Sequence, residues 1–414
     1  MVREGGVPAV GRMRALDGLR FAAAAAVVAF HYTGRDNPGW GESVREVFPT
    51  LSRLTVYGGF APYLFFMISG FVVLMSAWGR PVHSFVASRV GRLFPAYWVA
   101  VLLVAGVLWV VPLVPVWEDL GLHGVVLNLT MLHQAFGVGH VDGVFWTLWV
   151  ELKFYALLAL VGLAGFTRER VLLLCLAWPL LGALAAQTGT GLLVTLLEPN
   201  AAPFFCVGLL LHLVRREGWG TAAGLLLGFN VLLALWVCWS YYIPWSVAIA
   251  GAGVSFRALA VLLAACVGAL VVATTARVAD LDWRWLTTLG ALTYPLYLVH
   301  EFPGWVLIHL LAPVLPAYAV LAAVTATVLA VAYAVHRFVE RPLGGRLRRA
   351  VERDLGRVLD GAPRAAAAGP AVPPRPRGST AVPRPPLPPL PARRPGVART
   401  PDPRGARDAR LPVP

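Results

Sequence analysis

Apolar stretches of close to 20 residues recur along most of this chain of 414 residues, and they limit its fold more than any other feature. About 20 apolar residues in helical conformation cross a bilayer. Such stretches cover approximately 17–35, 57–78, 93–113, 145–165, 171–187, 202–214, 222–242, 258–276, 286–312 and 315–337. They predict an all-α, polytopic transmembrane helical bundle of about ten spans. An ordinary soluble domain is excluded, because charged residues make up only 14% of the chain.

The formal net charge of +14 is concentrated at one end of the chain. From Arg346 onwards there are about 15 arginines against about 5 acidic residues, and residues 361–414 hold about 16 of the 33 prolines. Such a segment cannot bury enough apolar surface to offset its ordering entropy. We therefore predict a cytoplasmic N-terminal segment at 1–15, a membrane domain at 16–343 and a disordered basic tail at 344–414, with no nucleic-acid partner.

Arginine is distributed unevenly among the connecting loops, and this orients the predicted bundle. With the N-terminus in the cytoplasm, the loops at 114–144, 188–201 and 313–314 lie outside and contain no Lys or Arg. Most other arginines then lie inside, as the positive-inside rule requires. The exceptions are Arg35, Arg45, Arg53 and Arg257. The pattern predicts a multi-pass protein of the cell membrane with both termini in the cytoplasm.

Several common functional sites have no signature in this sequence. Its four cysteines are scattered singly through apolar runs, without the spacing of metal ligands. It contains neither a P-loop nor a GxGxxG motif. We predict no metal site and no tightly bound cofactor.

Ionisable side chains inside the predicted spans are the main functional candidates, because each costs about 2.5–3.5 kcal/mol at the centre of a membrane helix. Arg20 and His31 lie eleven residues apart on the first span. They therefore share one helix face and are about 16 Å apart along its axis. This spacing predicts that both line one pathway. In the alternative interpretation Arg20 reaches the membrane interface and His31 is an interfacial histidine. Asp17, on the same span, is a secondary candidate.

Glu151 lies near the predicted outer start of the fourth span, at a depth similar to that of His31. A buried carboxylate beside a histidine holds the ring in one tautomer and stabilises its protonated form. We therefore predict that Glu151 orients His31 as a general base. Trp146, on the same span, is a membrane-interface anchor or a secondary site residue.

Two further spans carry polar residues with more than one interpretation. Ser69 lies in FFMISGF at 65–71, where the Ser-Gly pair is more typical of close helix packing than of a nucleophile. His300 lies beside Glu301 in the ninth span. It is either a second member of the site or a hydrogen-bonded structural histidine.

Arg89 and Arg92 form an RxxR pair at the predicted cytoplasmic start of the third span. Guanidinium groups bind phosphate in a bidentate manner, and a helix N-terminus adds a favourable dipole. The pair is therefore a candidate phosphate site. Contact with anionic lipid, or a role only in setting the topology, are the alternatives.

Six blocks of sequence, in this order, resemble the acyltransferase-3 family of integral-membrane bacterial O-acyltransferases. They are RALDGLRFAAAAAVVAFHY at 14–32, LFFMISGFVV at 64–73, RVGRLFPAYW at 89–98, FWTLWVELKFY at 145–155, TYPLYLVH at 293–300 and HRFVERPL at 336–343. The family acylates glycans and, in some branches, macrolides and other secondary metabolites. The resemblance implies functional roles for Arg20, His31, Arg89, Arg92 and Glu151. This chain departs from the family where many members carry an aspartate before LFF, since it has APY at 61–63.

The resemblance also implies a reaction, in which an acyl group such as acetyl passes from acyl-CoA to a hydroxyl of a sugar, glycan or macrolide-like acceptor. Arg89 and Arg92 would hold the CoA, and Arg20 would either hold the CoA as well or act as a catalytic residue that stabilises developing charge near the thioester. His31 would deprotonate the acceptor hydroxyl or carry the acyl group itself. A polytopic transporter of a small anionic or sugar-like solute and a non-catalytic membrane scaffold are the alternatives. The arginine pair favours the enzyme, and so does the absence of an internal repeat.

Overall fold

The structure is a computed structural model that describes residues 13–251, 253–274, 278 and 283–359. Within these ranges the regular structure is helical and no strand occurs. The principal helices, in chain order, are α1 Arg14–Ala29, α2 Ala61–Ala77, α3 Val82–Val110, α4 Val116–Asn128, α5 Trp146–Ala164, α6 Arg168–Thr188, α7 Ala202–Glu217, α8 Thr221–Val237, α9 Phe256–Thr274, α10 Arg284–Val299, α11 Glu301–Leu311, α12 Ala317–Val335 and α13 Arg341–Leu359. The prediction of an all-α membrane bundle is confirmed.

Eight helices of the described ranges are long and apolar enough to cross a membrane. Two predicted spans are not among them. The first is α1, where Asp17 and Arg20 lower the mean hydropathy, and the second is the α10–α11 pair, which is interrupted at His300. The predicted number of ten is therefore approximate. Both exceptions are segments that carry candidate site residues.

Irregular backbone brings two histidines together in the bundle. A π-helical turn, Phe30–Gly34, continues α1 and contains His31, and His300 lies at the junction between α10 and α11. Side chains add hydrogen bonds to the backbone at this irregularity. The Tyr32 hydroxyl donates to the carbonyl of His300 over 2.8 Å, and the Trp305 indole donates to the carbonyl of His31 over 3.0 Å. Irregular backbone is tolerated in a membrane bundle where protein or a cavity surrounds it, and π-helical turns often mark functional sites.

Helices α2 and α7 cross with their backbones in contact at Gly70 and Gly208. A Cβ atom added to Gly208 would lie 2.7 Å from the amide nitrogen of Phe71 and 3.0 Å from the Cα of Gly70. Small residues allow this close approach in membrane proteins. Gly70 therefore has the packing role that the Ser-Gly pair indicated.

We expect Gly208→Ala to lower the thermal unfolding midpoint of the detergent-solubilised protein. The new methyl group would meet rigid backbone, and overpacking of this kind typically costs about 1–3 kcal/mol. Gly228→Ala, in α8, is the matched control, because nothing lies within 4 Å of its added Cβ. Alanine is better than glycine in a helix by about 1 kcal/mol, so this control should unfold at the same or a higher temperature. A midpoint for Gly208→Ala that is not below that of Gly228→Ala would contradict the expected clash.

The chain remains helical beyond the predicted end of the membrane domain. Residues 344–414 were expected to be a disordered tail, but α13 continues to Leu359. Apolar residues recur every three or four positions along this helix, in the pattern of an amphipathic helix, although arginine dominates its composition. Gly91 and Gly344 allow α13 to pack closely against α3. The rest of the predicted tail, 360–414, and residues 1–12 lie outside the described residues.

Candidate functional site

Two adjoining cavities hold most of the predicted site residues. The first, called the arginine cavity, has a volume of about 80 Å³ and includes in its lining Arg20, Ser69, Arg89, Arg92, Thr147, Glu151 and Tyr155. The second, called the histidine cavity, has a volume of about 550 Å³ and includes in its lining Phe30, His31, Arg35, Tyr63, Trp146, Tyr241, Trp245, Glu301 and Trp305. Pro62 and Tyr297 line both cavities, so these side chains form a wall that the two cavities share.

The arginine cavity carries an excess of positive charge. Arg20, Arg89 and Arg92 face it, and Glu151 is the one carboxylate among the described residues that line it. Asp17 lies behind this group, with its Oδ1 3.5 Å from Nη1 of Arg20. A cleft lined by one sign of charge concentrates ligands of the opposite sign. The cavity is therefore suited to an anionic ligand.

Helix α3 positions Arg89 and Arg92 differently from the sequence-based expectation. The Arg89 guanidinium donates to Ser76 Oγ over 3.3 Å and lies 5.7 Å above the Tyr155 ring, whereas Arg92 is exposed. Because α3 begins at Val82, Arg89 lies about two turns and Arg92 nearly three turns inside the helix. The helix dipole acts mainly within the first turn. The expected contribution of a helix N-terminus is therefore wrong, and the candidate phosphate site consists of the guanidinium groups alone.

Glu151 belongs to the arginine cavity and does not contact His31. Its Oε1 accepts hydrogen bonds from Ser69 Oγ and from the Tyr155 hydroxyl, each over 2.5 Å. Trp146 is the residue of α5 that lines the histidine cavity, and Glu151 lies about 7 Å further along the helix. The predicted pairing of Glu151 with His31 is therefore wrong. That prediction assumed that the two residues lie at a similar depth in the membrane. Ser69, a secondary candidate, is instead the partner of Glu151.

His300 orients the ring of His31. Nδ1 of His31 lies 2.8 Å from Nε2 of His300, and Nδ1 of His300 lies 2.8 Å from the carbonyl oxygen of Tyr297. A carbonyl only accepts, so neutral His300 carries its proton on Nδ1 and accepts at Nε2. His31 must then donate from Nδ1, which leaves the lone pair of its Nε2 free. His300 thus fixes the ring orientation and tautomer of His31, a role that the sequence had assigned to Glu151.

Glu301 and Arg35 complete the group around His31. Oε1 of Glu301 lies 3.6 Å from Nε2 of His31, and it accepts a hydrogen bond from Nη1 of Arg35 over 3.1 Å. Arg35 also lies 5.1 Å above the ring of Trp305. A carboxylate at this position stabilises an imidazolium. Sequence reasoning missed both residues, although Glu301 is an ionisable residue inside a predicted span and Arg35 opposes the positive-inside rule.

Asp142 is a second carboxyl group behind Glu301. Its Oδ1 accepts from the amide of Val144 over 3.2 Å, and its Oδ2 accepts from the amide of Phe302 over 3.3 Å. The carboxyl groups of Asp142 and Glu301 also interact with each other, and burial raises the pKa of Asp142 to about 6. Gly143 leaves room for the carboxyl group of Glu301, because a Cβ atom there would lie 2.8 Å from its Oε1. Backbone contacts thus fix the carboxyl pair beside His31.

Two histidines joined by a short hydrogen bond organise the loop that leads to Asp142. Nε2 of His133 lies 2.7 Å from Nδ1 of His140. Burial lowers the pKa of each ring to about 4, so both are neutral at physiological pH and can share this hydrogen bond. Buried Asn128 holds the same loop, since its side chain donates to the carbonyl of Gly139 and accepts from the amide of Val141. These contacts support the position of Asp142.

The structure therefore divides the predicted site residues into two groups. Arg20, Arg89, Arg92, Glu151 and Ser69 line the arginine cavity, with Asp17 paired to Arg20. His31 and Trp146 line the histidine cavity, and His300 is bonded to His31.

The comparison with known families identifies the class of this protein. The family model Acyl_transf_3, described as an acyltransferase domain, matches residues 13–337 and so includes both cavities. No curated protein and no solved structure matches the chain. The match confirms the resemblance that the six sequence blocks indicated. The chain is a multi-pass membrane acyltransferase and belongs to the acyltransferase-3 family.

Proposed function

We propose that this acyltransferase moves an acyl group such as acetyl from acyl-CoA to a hydroxyl of a sugar, glycan or secondary metabolite such as a macrolide. The observation that carries the proposal is the wall that two chemically different cavities share at Pro62 and Tyr297. One cavity offers cations to a polyanionic donor. The other offers an oriented histidine base to an acceptor.

The arginine cavity would bind the phosphate end of the donor. Arg89 and Arg92 would contact the CoA phosphates through charge-assisted hydrogen bonds. Arg20 joins them, because it lines the same cavity and lies about 16 Å from His31 along α1. At that distance Arg20 binds the donor and does not stabilise charge at the reacting carbonyl. The separation suits acyl-CoA, whose phosphates and thioester lie at opposite ends of an extended arm.

The thioester would lie between the two cavities, with the acceptor hydroxyl beside His31. Nε2 of His31 takes the hydroxyl proton as the oxygen attacks the thioester carbonyl. The new ester C–O bond forms, the C–S bond breaks, and the thiolate of CoA leaves with the electron pair. The imidazolium then returns its proton to the thiolate, so the products are an ester and free CoA. Glu301 stabilises the imidazolium between these two steps.

The arginine cavity is proposed to face the cytoplasm, where acyl-CoA is available. The positive-inside rule supports this orientation, since the chain contains no Lys or Arg at 114–144 and 188–201. The histidine cavity then lies in the outer half of the membrane, and both chain termini are cytoplasmic.

The purified protein in lipid nanodiscs, supplied with radiolabelled acetyl-CoA and candidate acceptors, tests this function. Label that enters an ester, together with an equal amount of released CoA thiol, supports acyl transfer. Release of CoA must also depend on His31. Movement of a solute across vesicles without CoA release would instead support a transporter.

We expect Glu301→Gln to lower kcat by about 10–100-fold, which corresponds to about 1.4–2.8 kcal/mol in the barrier. The amide retains the shape of the side chain but removes the charge 3.6 Å from Nε2 of His31. The KM for acyl-CoA should stay within about twofold, because Glu301 does not line the arginine cavity. Glu217→Gln is the control, since Glu217 pairs with Arg168 and lines neither cavity. A kcat for Glu301→Gln equal to that of the control would refute this role.

A further inference from the structure

Aromatic side chains make up almost half of the described residues that line the histidine cavity. Six of these residues are Phe30, Tyr63, Trp146, Tyr241, Trp245 and Trp305. The ionisable side chains in the lining are His31, Arg35 and Glu301, and each already has a partner within this group or in His300. No Ser, Thr, Asn, Gln or Asp is among the described residues that line the cavity. Apart from His31, Arg35 and Glu301, which contact one another or His300, the described side chains of the wall offer an acceptor only tyrosine hydroxyls and tryptophan indole N–H groups.

This wall is poorly suited to a polyhydroxylated ligand. A pyranose unit carries several free hydroxyls, and each that is buried without a partner costs about 1–3 kcal/mol. Even two stacked aromatic rings gain only about 0.5–1.5 kcal/mol beyond their buried area. A saccharide bound here would therefore lose more from its unpaired hydroxyls than it gains from the rings. An apolar frame with one hydroxyl directed at His31 has no such cost.

One side of the histidine cavity is open to the surroundings of the bundle. Tyr241, Trp245 and Ile249 line it, and their spacing of four residues places them on one face of the span Thr221–Ala250. Tyr241 is 39% exposed and Ile249 is 37% exposed. Because the helix is long and apolar enough to cross the membrane, we place this partly exposed face beside lipid. An acceptor dissolved in the bilayer can therefore reach the cavity from the side.

We infer that the acceptor is a membrane-partitioning molecule that presents a hydroxyl on an apolar frame, and not a glycan. This inference rests on the proposed acyl transfer and narrows its acceptor class. The cavity volume of about 550 Å³ is within the range of about 300–1,000 Å³ that is usual for small-molecule sites. The step itself is the one described above, in which the hydroxyl oxygen displaces the CoA thiolate.

Two acceptor pools from the source cells test the inference. The protein in nanodiscs receives radiolabelled acetyl-CoA together with either the organic-solvent extract or the cell-wall and water-soluble polysaccharide fraction. We expect label in the organic pool, at least tenfold above the His31→Ala background. Mass spectrometry of the labelled product should place the ester on a non-saccharide fragment. Label on a saccharide fragment in either pool would overturn the acceptor class and leave the proposed function intact. No His31-dependent label in either pool would overturn the proposed function.

A substitution in the aromatic wall provides a second measurement. We expect Trp245→Gln to lower transfer to the organic pool by about tenfold, while the KM for acyl-CoA is unchanged. Trp236→Gln is the control, because Trp236 is 44% exposed on the same span and does not line the cavity. It should stay within about twofold of the wild type. Equal transfer by the two variants would show that the ring wall does not select the acceptor.

Discussion

His31→Ala is expected to lower the rate of acyl transfer by about 10²–10⁴-fold, the usual contribution of a positioned general base. The free Nε2 of His31 is the basic atom that faces the histidine cavity, and the hydrogen bond to His300 holds it there. No other histidine lines either cavity among the described residues. The measurement is the rate of ester formation with saturating acyl-CoA, on protein whose folding is checked by its thermal unfolding midpoint.

The matched control for His31 is His336→Ala. His336 also lies in a π-helical turn and also contacts a carboxylate, Glu340, but it lines neither cavity. Loss of activity in both variants would indicate a general effect of removing a histidine from such a turn. Added imidazole should partly restore activity to His31→Ala, because the 550 Å³ cavity has room for it. A folded His31→Ala protein with wild-type activity would remove His31 from the mechanism.

The same variant tests the covalent alternative. If His31 carries the acyl group, wild-type protein quenched during turnover should hold radiolabel, and His31→Ala should hold none. Direct transfer predicts no labelled protein in either case. The single free nitrogen on His31 is compatible with both routes, so labelling of the protein is the measurement that separates them.

The elements of this fold that could be predicted are those with a strong local signal. Long apolar runs specified most spans, because crossing a bilayer demands about 20 such residues. The segment of α13 beyond Leu343 was missed for a complementary reason, since its arginine content concealed an amphipathic pattern. Its Gly344 lies against Gly91 of α3. Its formation depends on a tertiary contact that composition does not reveal.

The site was predicted in its parts but not in its pairings. The position of Arg20 and His31 on one helix face follows from helix geometry, and the two do line cavities that share a wall. The partner of His31 depends instead on where α10 breaks. That break places His300 against Nδ1 and Glu301 near Nε2, and spacing along the sequence contains no information about it. Glu151 was given the wrong partner because depth in the membrane was inferred from an uncertain span boundary.

Replacement of Arg89 and Arg92 together by glutamine is expected to raise the KM for acyl-CoA by about 10²–10⁴-fold. A hydrogen bond to a charged group is worth about 1.5–3 kcal/mol, and two such contacts would be lost. The kcat should change much less, because neither arginine lines the histidine cavity. Higher salt should raise the KM of the wild type and affect the variant less, since partly exposed charges are screened.

An acyl donor without phosphates shows whether these two arginines bind the CoA phosphates. Acyl-pantetheine retains the thioester arm but lacks the phosphate groups, so wild type and the double variant should use it at similar rates. Arg168→Gln is the control, because Arg168 pairs with Glu217 and lines neither cavity. If the double variant were as impaired with acyl-pantetheine as with acyl-CoA, the arginines would be supporting the structure and not the donor. If a change in anionic lipid content alone restored the activity of the double variant, the two arginines would be contacting lipid headgroups. We expect the double variant to lose activity with acyl-CoA and to keep it with acyl-pantetheine. The reason is that three guanidinium groups face the arginine cavity, whereas its described lining residues include a single carboxylate.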